Sequence, residues 1–310
     1  MMKILLTTTS FQDTPGKHHE LIKNTGFEVD ILRGPVKQDI LLPIIASYDG
    51  VICGDDEFTR EVIQKGKEGK LKVISKYGVG LDKIDLIAAK ESRIPVFNTP
   101  GVNQITVAEH ALSLLLTYLK NIHKEYNFTR EGIWKRLIGT ELYGKKIGIL
   151  GFGKIGKELA KRLSAFGVEL YAYDLIYDDK FINKYDIIKT NSIEDLVQKI
   201  DILSIHMPLT DLTKHIIDSR ILNLIVNPIV IINTSRALIL EQKALLKEIR
   251  SGKIRSYLTD VMDEEPMDIN HALKEFENVI ITPHIGSRTF ESVERQGSMA
   301  VINLLKELKI

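Results

Sequence analysis

Short apolar runs alternate with longer amphipathic stretches along the whole chain. Apolar runs bounded by turn residues are typical of buried strands, and apolar positions spaced at a helical period are typical of helices. Helical patterns such as Thr106–Asn121 and Ser292–Glu307 separate the runs, which predicts an α/β protein with helices on both faces of parallel sheets. The predicted strands are Lys3–Thr7, Val29–Leu32, Gly50–Cys53, Leu71–Ser75, Pro95–Asn98, Lys146–Leu150, Glu169–Tyr173, Asp201–His206, Ile229–Asn233, Tyr257–Thr259 and Val279–Ile281.

A Pro-Gly pair marks the expected boundary between two domains. The segment Asn98–Gly101 follows one predicted strand and precedes a long helical pattern, and 310 residues are enough for two domains of ordinary size. The final helical pattern is able to return to the first domain. We therefore expect two doubly wound, Rossmann-like parallel-sheet domains with an interdomain cleft: residues 1–100 plus 288–310, and residues 101–287.

Composition and charge narrow the range of partners. The 42 basic and 41 acidic residues give a formal net charge of +1, which provides no electrostatic reason to expect nucleic acid or an anionic membrane. The start of the chain, Met1-Met2-Lys3, leads into a strand pattern rather than a secretory signal. The single cysteine, Cys53, excludes an internal disulfide and is expected to be buried. These features predict a cytoplasmic protein.

A strand that runs into G-x-G-x-x-G is the first motif with a chemical meaning. Gly151 permits the turn, Gly153 lets the backbone approach a pyrophosphate, and Gly156 allows close packing of helix on strand. The pyrophosphate is then expected at the helix N-terminus, beside Lys154 and Ile155.

Asp174 stands at the end of the next predicted strand. An acid at this position accepts hydrogen bonds from the ribose of NAD and repels the 2′-phosphate of NADP. The cofactor predicted from these motifs is NAD.

Three more polar segments follow predicted strands in the second half of the chain. They are Asn233-Thr-Ser-Arg-Ala237, Asp260-Val-Met-Asp-Glu-Glu-Pro266 and Thr282-Pro-His-Ile-Gly-Ser287. Open α/β sheets bind their ligands at the carboxyl ends of the strands, so we expect these segments to meet at one site.

With these segments, the sequence resembles the D-isomer-specific 2-hydroxyacid dehydrogenases, particularly their phosphoglycerate dehydrogenase-like branch. The resemblance implies hydride transfer between NAD and C2 of a small D-2-hydroxy acid or 2-keto acid, a homodimer formed through the NAD domain, and no metal site. It covers nearly the whole chain and includes Tyr77-Gly-Val-Gly-Leu-Asp82, Asn98-Thr-Pro-Gly101, Val107-Ala-Glu-His110, Gly132-Ile-Trp134, the glycine motif and His206-Met-Pro-Leu-Thr210.

The resemblance also implies the catalytic roles. Arg236 binds the substrate carboxylate, because its planar guanidinium suits bidentate binding. His284 exchanges the proton of the substrate hydroxyl, since imidazole is suited to acid–base work near neutral pH. Glu265 holds His284 and favours the imidazolium. Asp260 faces the nicotinamide.

Further contacts carry over from the resemblance. The segment Tyr77, Gly78, Val79 and Gly80 is expected to bind the substrate carboxylate through backbone N–H groups, with an ordinary turn as the alternative. The remaining residues expected at the cofactor are His206, Pro208, Thr234, Ser235, Arg236, Asp260, His284 and Gly286.

Some of these residues have simpler alternatives. For His206 the alternative is a packed residue at a strand end. Trp134 and the stripe Leu112–Tyr118 are expected in the core or at a dimer contact. Ala237 stands where the family usually has glycine, and alanine would be strained there if the backbone required a positive φ.

The sequence leaves the substrate open among 3-phosphoglycerate, hydroxypyruvate, glyoxylate and pyruvate-like acids. A phosphorylated substrate needs cations in the first domain, where Arg60 and Lys76 are candidates, each with a solvated surface charge as its alternative. The run Asp55-Asp56-Glu57 follows a predicted strand and is expected to repel a phosphate.

Two other functions remain open at this point. Some relatives are NAD(H)-sensing corepressors, although the intact set Arg236, Glu265 and His284 argues against a purely regulatory role. A formate dehydrogenase-like enzyme is the second alternative, and Glu265 argues against it because those relatives typically have glutamine there.

Overall fold

The computed structural model describes residues 1–308, and the chain divides into two compact units. Unit 1 comprises Met1–Asn103 and the segment that begins at Ser287, and unit 2 comprises Gln104–Gly286. Each unit contains one parallel sheet with flanking helices. The predicted α/β, Rossmann-like fold is therefore confirmed.

Unit 1 is built on five parallel strands in the order β2-β1-β3-β4-β5. The strands are β1 (Lys3–Leu6), β2 (Glu28–Ile31), β3 (Gly50–Cys53), β4 (Val73–Lys76) and β5 (Val96–Phe97). The helices are α1 (Thr9–Asp13), α2 (Lys17–Asn24), α3 (Gln38–Leu41), α4 (Arg60–Glu68) and α5 (Leu86–Glu91), with a 3-10 turn at Ile45–Ser47.

Unit 2 is built on seven parallel strands in the order β12-β11-β10-β9-β6-β7-β8. The helices are α6 (Gln104–Leu119), α7 (Ile122–Arg130), α8 (Lys154–Leu163), α9 (Asp179–Lys184), α10 (Ile193–Val197), α11 (Ser219–Asn223) and α12 (Gln242–Arg250). The strands are β6 (Lys146–Leu150), β7 (Glu169–Tyr173), β8 (Ile188–Lys189), β9 (Ile202–Ile205), β10 (Ile229–Asn233), β11 (Ile254–Thr259) and β12 (Val279–Ile281). Single 3-10 turns lie at Ser164–Phe166, Ala237–Ile239 and Ala272–Glu275.

The last helix, α13 (Phe290–Leu308), belongs to unit 1. It packs on β4, where the Ser75 hydroxyl donates a hydrogen bond of 2.9 Å to the Ala300 carbonyl. Among residues 1–308, no helix combines the length and apolar character that a membrane span requires.

Helices cover both faces of the unit 2 sheet, and the strand sequences show why. Along β10, Ile231 joins one buried cluster, whereas Val230 and Ile232 join another. Successive side chains of a strand point to opposite faces, so a strand buried on both sides needs a continuous apolar run. This is the run Ile-Val-Ile-Ile that the sequence contains.

The pattern located every strand of unit 1 and all but one strand of unit 2. Bounds differ by up to three residues, as at β11, which begins at Ile254 rather than Tyr257. The missed strand, Ile188–Lys189, is two residues long and exposed, which is too short to show a period.

Cys53 is buried, as expected. The core alternative for Trp134 was wrong, because its side chain is 83% exposed.

The chain order of the strands changes direction at β6, which lies between β7 and β9. Loops that leave the carboxyl ends of β6 and β9 therefore diverge to opposite faces of the sheet and leave a crevice between them. The glycine motif follows β6 directly, so the fold places it at this crevice.

Two glycines of the turn between β6 and α8 are required by steric contacts. Gly151 has a φ of +92°, and a Cβ on it would lie 2.7 Å from the His206 carbonyl oxygen. A Cβ on Gly156 would lie 2.4 Å from the Gly151 carbonyl oxygen. Gly153 is different, because a Cβ there would meet no atom within 4 Å.

We predict that Gly156→Ala lowers the free energy of unfolding by about 1–3 kcal/mol, because the added methyl group collides with backbone that has no room to move. Chemical denaturation monitored by circular dichroism measures the change. Gly153→Ala is the matched control and should cost clearly less. Equal stability of Gly156→Ala and the parent protein would contradict the packing argument.

Candidate active site

The N-terminus of α8 presents backbone donors without a side-chain cap. Gly153 is the N-cap residue and provides no side-chain acceptor for the first turn, which begins at Lys154 and Ile155. The first N–H groups of a helix have no intrahelical acceptor and carry the positive end of the helix dipole. An anionic group such as a pyrophosphate fits this position, next to the open space at Gly153.

Asp174 follows β7 and is joined to the glycine turn. One carboxylate oxygen accepts from the Phe152 N–H at 2.5 Å, and the other accepts from the Leu175 N–H at 2.6 Å. The oxygen that bonds Leu175 also accepts from the Ile176 N–H at 3.3 Å, whereas the oxygen that bonds Phe152 has a second lone pair. Asp174 is therefore held in place and is still able to accept from a ribose hydroxyl.

Two buried polar atoms without partners lie at the ends of β9 and β10. They are Nδ1 of His206 and Oγ1 of Thr234. The two residues directly follow Ile205 and Asn233, which are paired in the sheet. Unpaired buried polar atoms are costly, so their presence at the ligand edge of the sheet fits a bound group that supplies the missing hydrogen bonds.

His206 itself is held as a neutral ring. Its Nε2 lies 2.8 Å from the Ser204 hydroxyl, and burial of the ring lowers its pKa to about 4. The ring therefore remains uncharged at neutral pH and is suited to a hydrogen bond rather than an ion pair. Pro208, also expected at the cofactor, is exposed, and its carbonyl accepts from the Thr213 hydroxyl at 2.6 Å.

Asn233 organises the turn that carries Arg236. Its fully buried amide donates to the Arg236 carbonyl at 2.9 Å and accepts from the Ser235 N–H and hydroxyl at 3.1 and 2.8 Å. The guanidinium donates to the Ser235 carbonyl at 2.9 Å. Ala237 begins a 3-10 turn and is not among the residues with a positive φ. Alanine in place of the usual glycine is therefore not strained.

His284 and Glu265 form a close pair. Nδ1 of His284 lies 2.7 Å from a Glu265 carboxylate oxygen, and both side chains are about one-third exposed. The other carboxylate oxygen accepts from the Met262 N–H at 3.0 Å. Because Glu265 engages Nδ1, Nε2 is the nitrogen of His284 that is suited to proton exchange.

Asp260 is a buried carboxylate beside this pair. Burial would raise its pKa, but hydrogen bonds from His110, Thr282 and the Ile285 N–H outweigh it and hold the pKa below its ordinary value. Its other oxygen accepts from the Gly286 N–H at 2.7 Å, and a Cβ on Gly286 would lie 2.8 Å from that oxygen. The Gly286 N–H is therefore engaged by Asp260 and is not available as a donor, and contact of Gly286 with the cofactor stays a prediction.

The predicted carboxylate-binding segment of unit 1 needs two corrections. The Tyr77 side chain is buried in the core, where Gln296 donates to its hydroxyl at 3.4 Å, and the Tyr77 N–H donates to the Cys53 carbonyl at 2.8 Å. The Gly78 N–H donates to the Thr99 hydroxyl at 2.8 Å and is not available. Val79 and Gly80 lie in a loop. Among residues 1–308, no backbone carbonyl accepts a hydrogen bond from either of their N–H groups.

Sequence reasoning missed four residues that hold the site together: His110, Asn233, Met262 and Thr282. All but Met262 act through side chains whose partners come from another part of the chain or from a turn. The only signal in the sequence was that all four residues lie within the motifs described above, which does not show what each side chain bonds.

Comparison with known proteins shows the family of the chain. The family described as D-isomer specific 2-hydroxyacid dehydrogenase, NAD binding domain, matches residues 112–286. A hydroxypyruvate reductase of Thermotoga maritima is 36% identical over 91% of this chain and 92% of its own length. A D-3-phosphoglycerate dehydrogenase of Methanocaldococcus jannaschii is 35% identical over 100% of this chain, which spans only 58% of that protein.

The fold of a solved protein is also similar. The crystal structure of the TT0316 protein from Thermus thermophilus superimposes with a TM-score of 0.88 at 33% identity, over 99% of this chain and 97% of that one. The chain therefore belongs to the D-isomer-specific 2-hydroxyacid dehydrogenase family and is an NAD-dependent oxidoreductase.

Proposed function

We propose that this enzyme reversibly converts a small, unphosphorylated D-2-hydroxy acid to the 2-oxo acid, with Arg236, Glu265 and His284 as its catalytic residues. The observation that carries the proposal is the 2.7 Å contact between Glu265 and His284. The three residues follow β10, β11 and β12, which are hydrogen-bonded neighbours in the sheet.

The reaction removes a hydride from C2 of the hydroxy acid and a proton from its hydroxyl group. NAD, when bound, supplies the hydride acceptor, and NADH supplies the hydride in the reverse direction. Nε2 of His284 takes the hydroxyl proton during oxidation and returns it to the oxygen during reduction. Glu265 keeps Nδ1 engaged, so the ring is oriented and its protonated form is stabilised.

Arg236 binds the substrate carboxylate. Its backbone is fixed by the buried amide of Asn233, and a guanidinium forms two parallel hydrogen bonds with a carboxylate. The N–H groups of Val79 and Gly80 are the donors of unit 1 that we propose for the same anionic group. Glu265 also distinguishes this site from that of a formate dehydrogenase, because the oxidation of formate needs no proton exchange.

For the cofactor we propose that the pyrophosphate contacts Gly153 and the N–H groups of Lys154 and Ile155, while Gly151 and Gly156 shape the turn that binds it. Asp174 accepts from the ribose. The unpartnered atoms of His206 and Thr234, together with Ser235 and the carbonyl end of Pro208, line the remaining part of the site. Asp260 orients the segment next to the nicotinamide rather than binding it directly, because its four hydrogen bonds go to protein donors.

Charge pairing in unit 1 supports an unphosphorylated substrate. Lys76 was expected to be a cation for phosphate or a solvated charge, but its side chain is 4% exposed and bonds Asp55 at 2.9 Å. Arg60 pairs with Glu91 and lies 3.7 Å from Asp85. Since both candidate cations are already neutralised, a phosphate dianion gains little from either.

Hydroxypyruvate and glyoxylate are therefore the substrates we favour. The hydroxypyruvate reductase relative, which is 36% identical over 91% of this chain, supports this choice together with the charge pairing in unit 1. A cytoplasmic location remains a prediction, supported by the single, buried Cys53, whose thiol pKa is raised by burial.

We also propose a homodimer formed through an apolar surface of unit 2. We call this surface the α7 arm, residues 121–143. Its exposed apolar side chains are Ile122, Tyr126, Ile133, Trp134, Ile138 and Tyr143. Large exposed apolar groups are typical of association sites, and these lie close together in the chain. A second copy of the chain is the partner that the family resemblance implies.

The first prediction concerns proton transfer. His284→Gln should lower kcat by about 10²–10⁴-fold, because the proton loses its carrier, while the Kd of NADH, measured by its fluorescence, stays near that of the parent. His19→Gln, in unit 1, is the control. In Glu265→Gln, the rate of 2-oxo acid reduction should begin to fall at a lower pH than in the parent enzyme, since a neutral partner stabilises the imidazolium less. Unchanged kcat in His284→Gln would remove this residue as the acid–base.

The second prediction concerns the substrate. In assays of NADH oxidation, kcat/KM should be at least about tenfold higher with glyoxylate or hydroxypyruvate than with 3-phosphohydroxypyruvate. A tenfold ratio corresponds to a difference of about 1.4 kcal/mol in transition-state binding. Asp55→Asn should narrow this ratio by releasing the charge of Lys76. Preference of the parent enzyme for the phosphorylated acid would show that another cation binds the phosphate.

The third prediction concerns association. Light scattering should give twice the mass of one chain, and Trp134→Glu combined with Ile138→Glu should give a monomer, because two charges are costly in an apolar interface. Val226→Glu, at a site of unit 2 that is 71% exposed and outside the arm, should leave the dimer intact.

Tryptophan fluorescence is an independent measurement of the same association. Trp134 is the only tryptophan, so the emission of the protein should shift to longer wavelength when dilution separates the two chains. A parent protein that is monomeric at micromolar concentration would rule out the α7 arm as a dimer surface.

A further inference from the structure

The segment that follows His284 is held by one buried carboxylate. Asp260, 2% exposed, accepts from the Ile285 N–H at 2.9 Å and from the Gly286 N–H at 2.7 Å. These are the two peptide groups that follow His284 in the chain. On the other side, the His284 N–H donates to the Thr282 carbonyl at 3.0 Å. The backbone of His284 is therefore fixed from both sides.

This fixation matters because His284 has an unusual backbone conformation. Its φ is 52°, in the left-handed region that residues with a side chain rarely adopt. Such conformations persist only where the surrounding structure holds them. The 2.7 Å contact with Glu265 orients the ring, but the ring starts from a backbone position that Asp260 determines.

Asp260 is held in turn by a side chain from α6. Nε2 of His110 lies 3.0 Å from the Thr282 hydroxyl and 3.3 Å from the nearer Asp260 oxygen. The Thr282 hydroxyl donates its only proton to that carboxylate oxygen at 2.6 Å, so it accepts from His110. The hydrogen bonds therefore run in one direction, from His110 through Thr282 to Asp260.

His110 takes no part in the other elements of the site. Its side chain is 17% exposed, it lies on a helix rather than at a strand end, and neither the glycine turn nor the pair Glu265–His284 includes it. A packing role alone would not require a hydrogen-bond donor at this position. The donor directed at Thr282 and Asp260 indicates a function in holding the carboxylate.

We propose that His110 is a positioning residue for His284. Its Nε2–H fixes the hydroxyl of Thr282 and the carboxylate of Asp260, and that carboxylate holds the peptide groups of Ile285 and Gly286. His284 is thereby kept at the φ from which its ring reaches Glu265. The kinetic part of this proposal rests on the proposed role of His284 in proton transfer, whereas the structural part does not.

Three variants separate positioning from packing. His110→Leu removes the donor, and His110→Gln keeps an N–H donor on a flexible side chain. Ser113→Ala is the matched control, because Ser113 lies one turn along α6, is exposed, and bonds the Glu109 carbonyl of its own helix. Thr282→Val removes the same hydroxyl link and takes the place of His110→Leu if that variant does not fold.

The first readout needs no substrate. Hydrogen exchange of the peptide that covers residues 283–287 should be at least about tenfold faster in His110→Leu, because the acceptor of two of its N–H groups is no longer fixed. The peptides of α6 and the melting temperature report any general loss of stability. His110→Gln should restore most of the protection, and Ser113→Ala should match the parent.

The second readout is kinetic. His110→Leu should lower kcat by about 10- to 100-fold through misplacement of His284, while KM for NADH changes little, and His110→Gln should recover part of the rate. Parent-like exchange of residues 283–287 in His110→Leu and Thr282→Val would overturn the proposal. Failure of the parent enzyme to reduce any 2-oxo acid would overturn the proposed function instead, and the exchange comparison would still decide the role of His110.

Discussion

The hydrogen-bonded register of β10, β11 and β12 determines where the chemistry of unit 2 is assembled. Asn233 is paired with Thr259, and Thr259 with Ile281. Because parallel strands end at the same edge, the segments that follow these residues are neighbours without any further constraint. A shift in register would move Arg236, Glu265 and His284 away from one another, and no individual contact in the site would compensate.

Around this edge, polar groups are held by hydrogen bonds within the protein. Asp260 carries a buried charge, and four protein donors offset the cost of removing it from water. The carboxylate fixes the backbone of His284, while Glu265 orients its ring. Fixed dipoles of this kind do not have to reorganise during a reaction. The polar atoms of His206 and Thr234 that lack protein partners are the exception, and they lie where a cofactor is expected.

The two units contribute differently to the function. The family comparison establishes the reaction type, and in our proposal groups of unit 2 carry it out. In the same proposal the charges of unit 1 bear on substrate choice, and there the structure changes the interpretation. Lys76 is buried against Asp55, and Arg60 is paired with two acids. A cation that already has a partner offers little extra binding to a phosphate.

The sequence by itself determined every strand except β8, the glycine turn and the three polar segments, because each of these depends on local periodicity or on residues close together in the chain. It did not determine the burial of Lys76, the exposure of Trp134 or the acceptor of the Gly78 N–H. Nor did it assign a role to His110, which bonds a hydroxyl 172 positions away. Only the tertiary structure decided these, because side-chain burial and hydrogen-bond partners depend on how distant segments pack, and packing leaves no periodic signal in the chain.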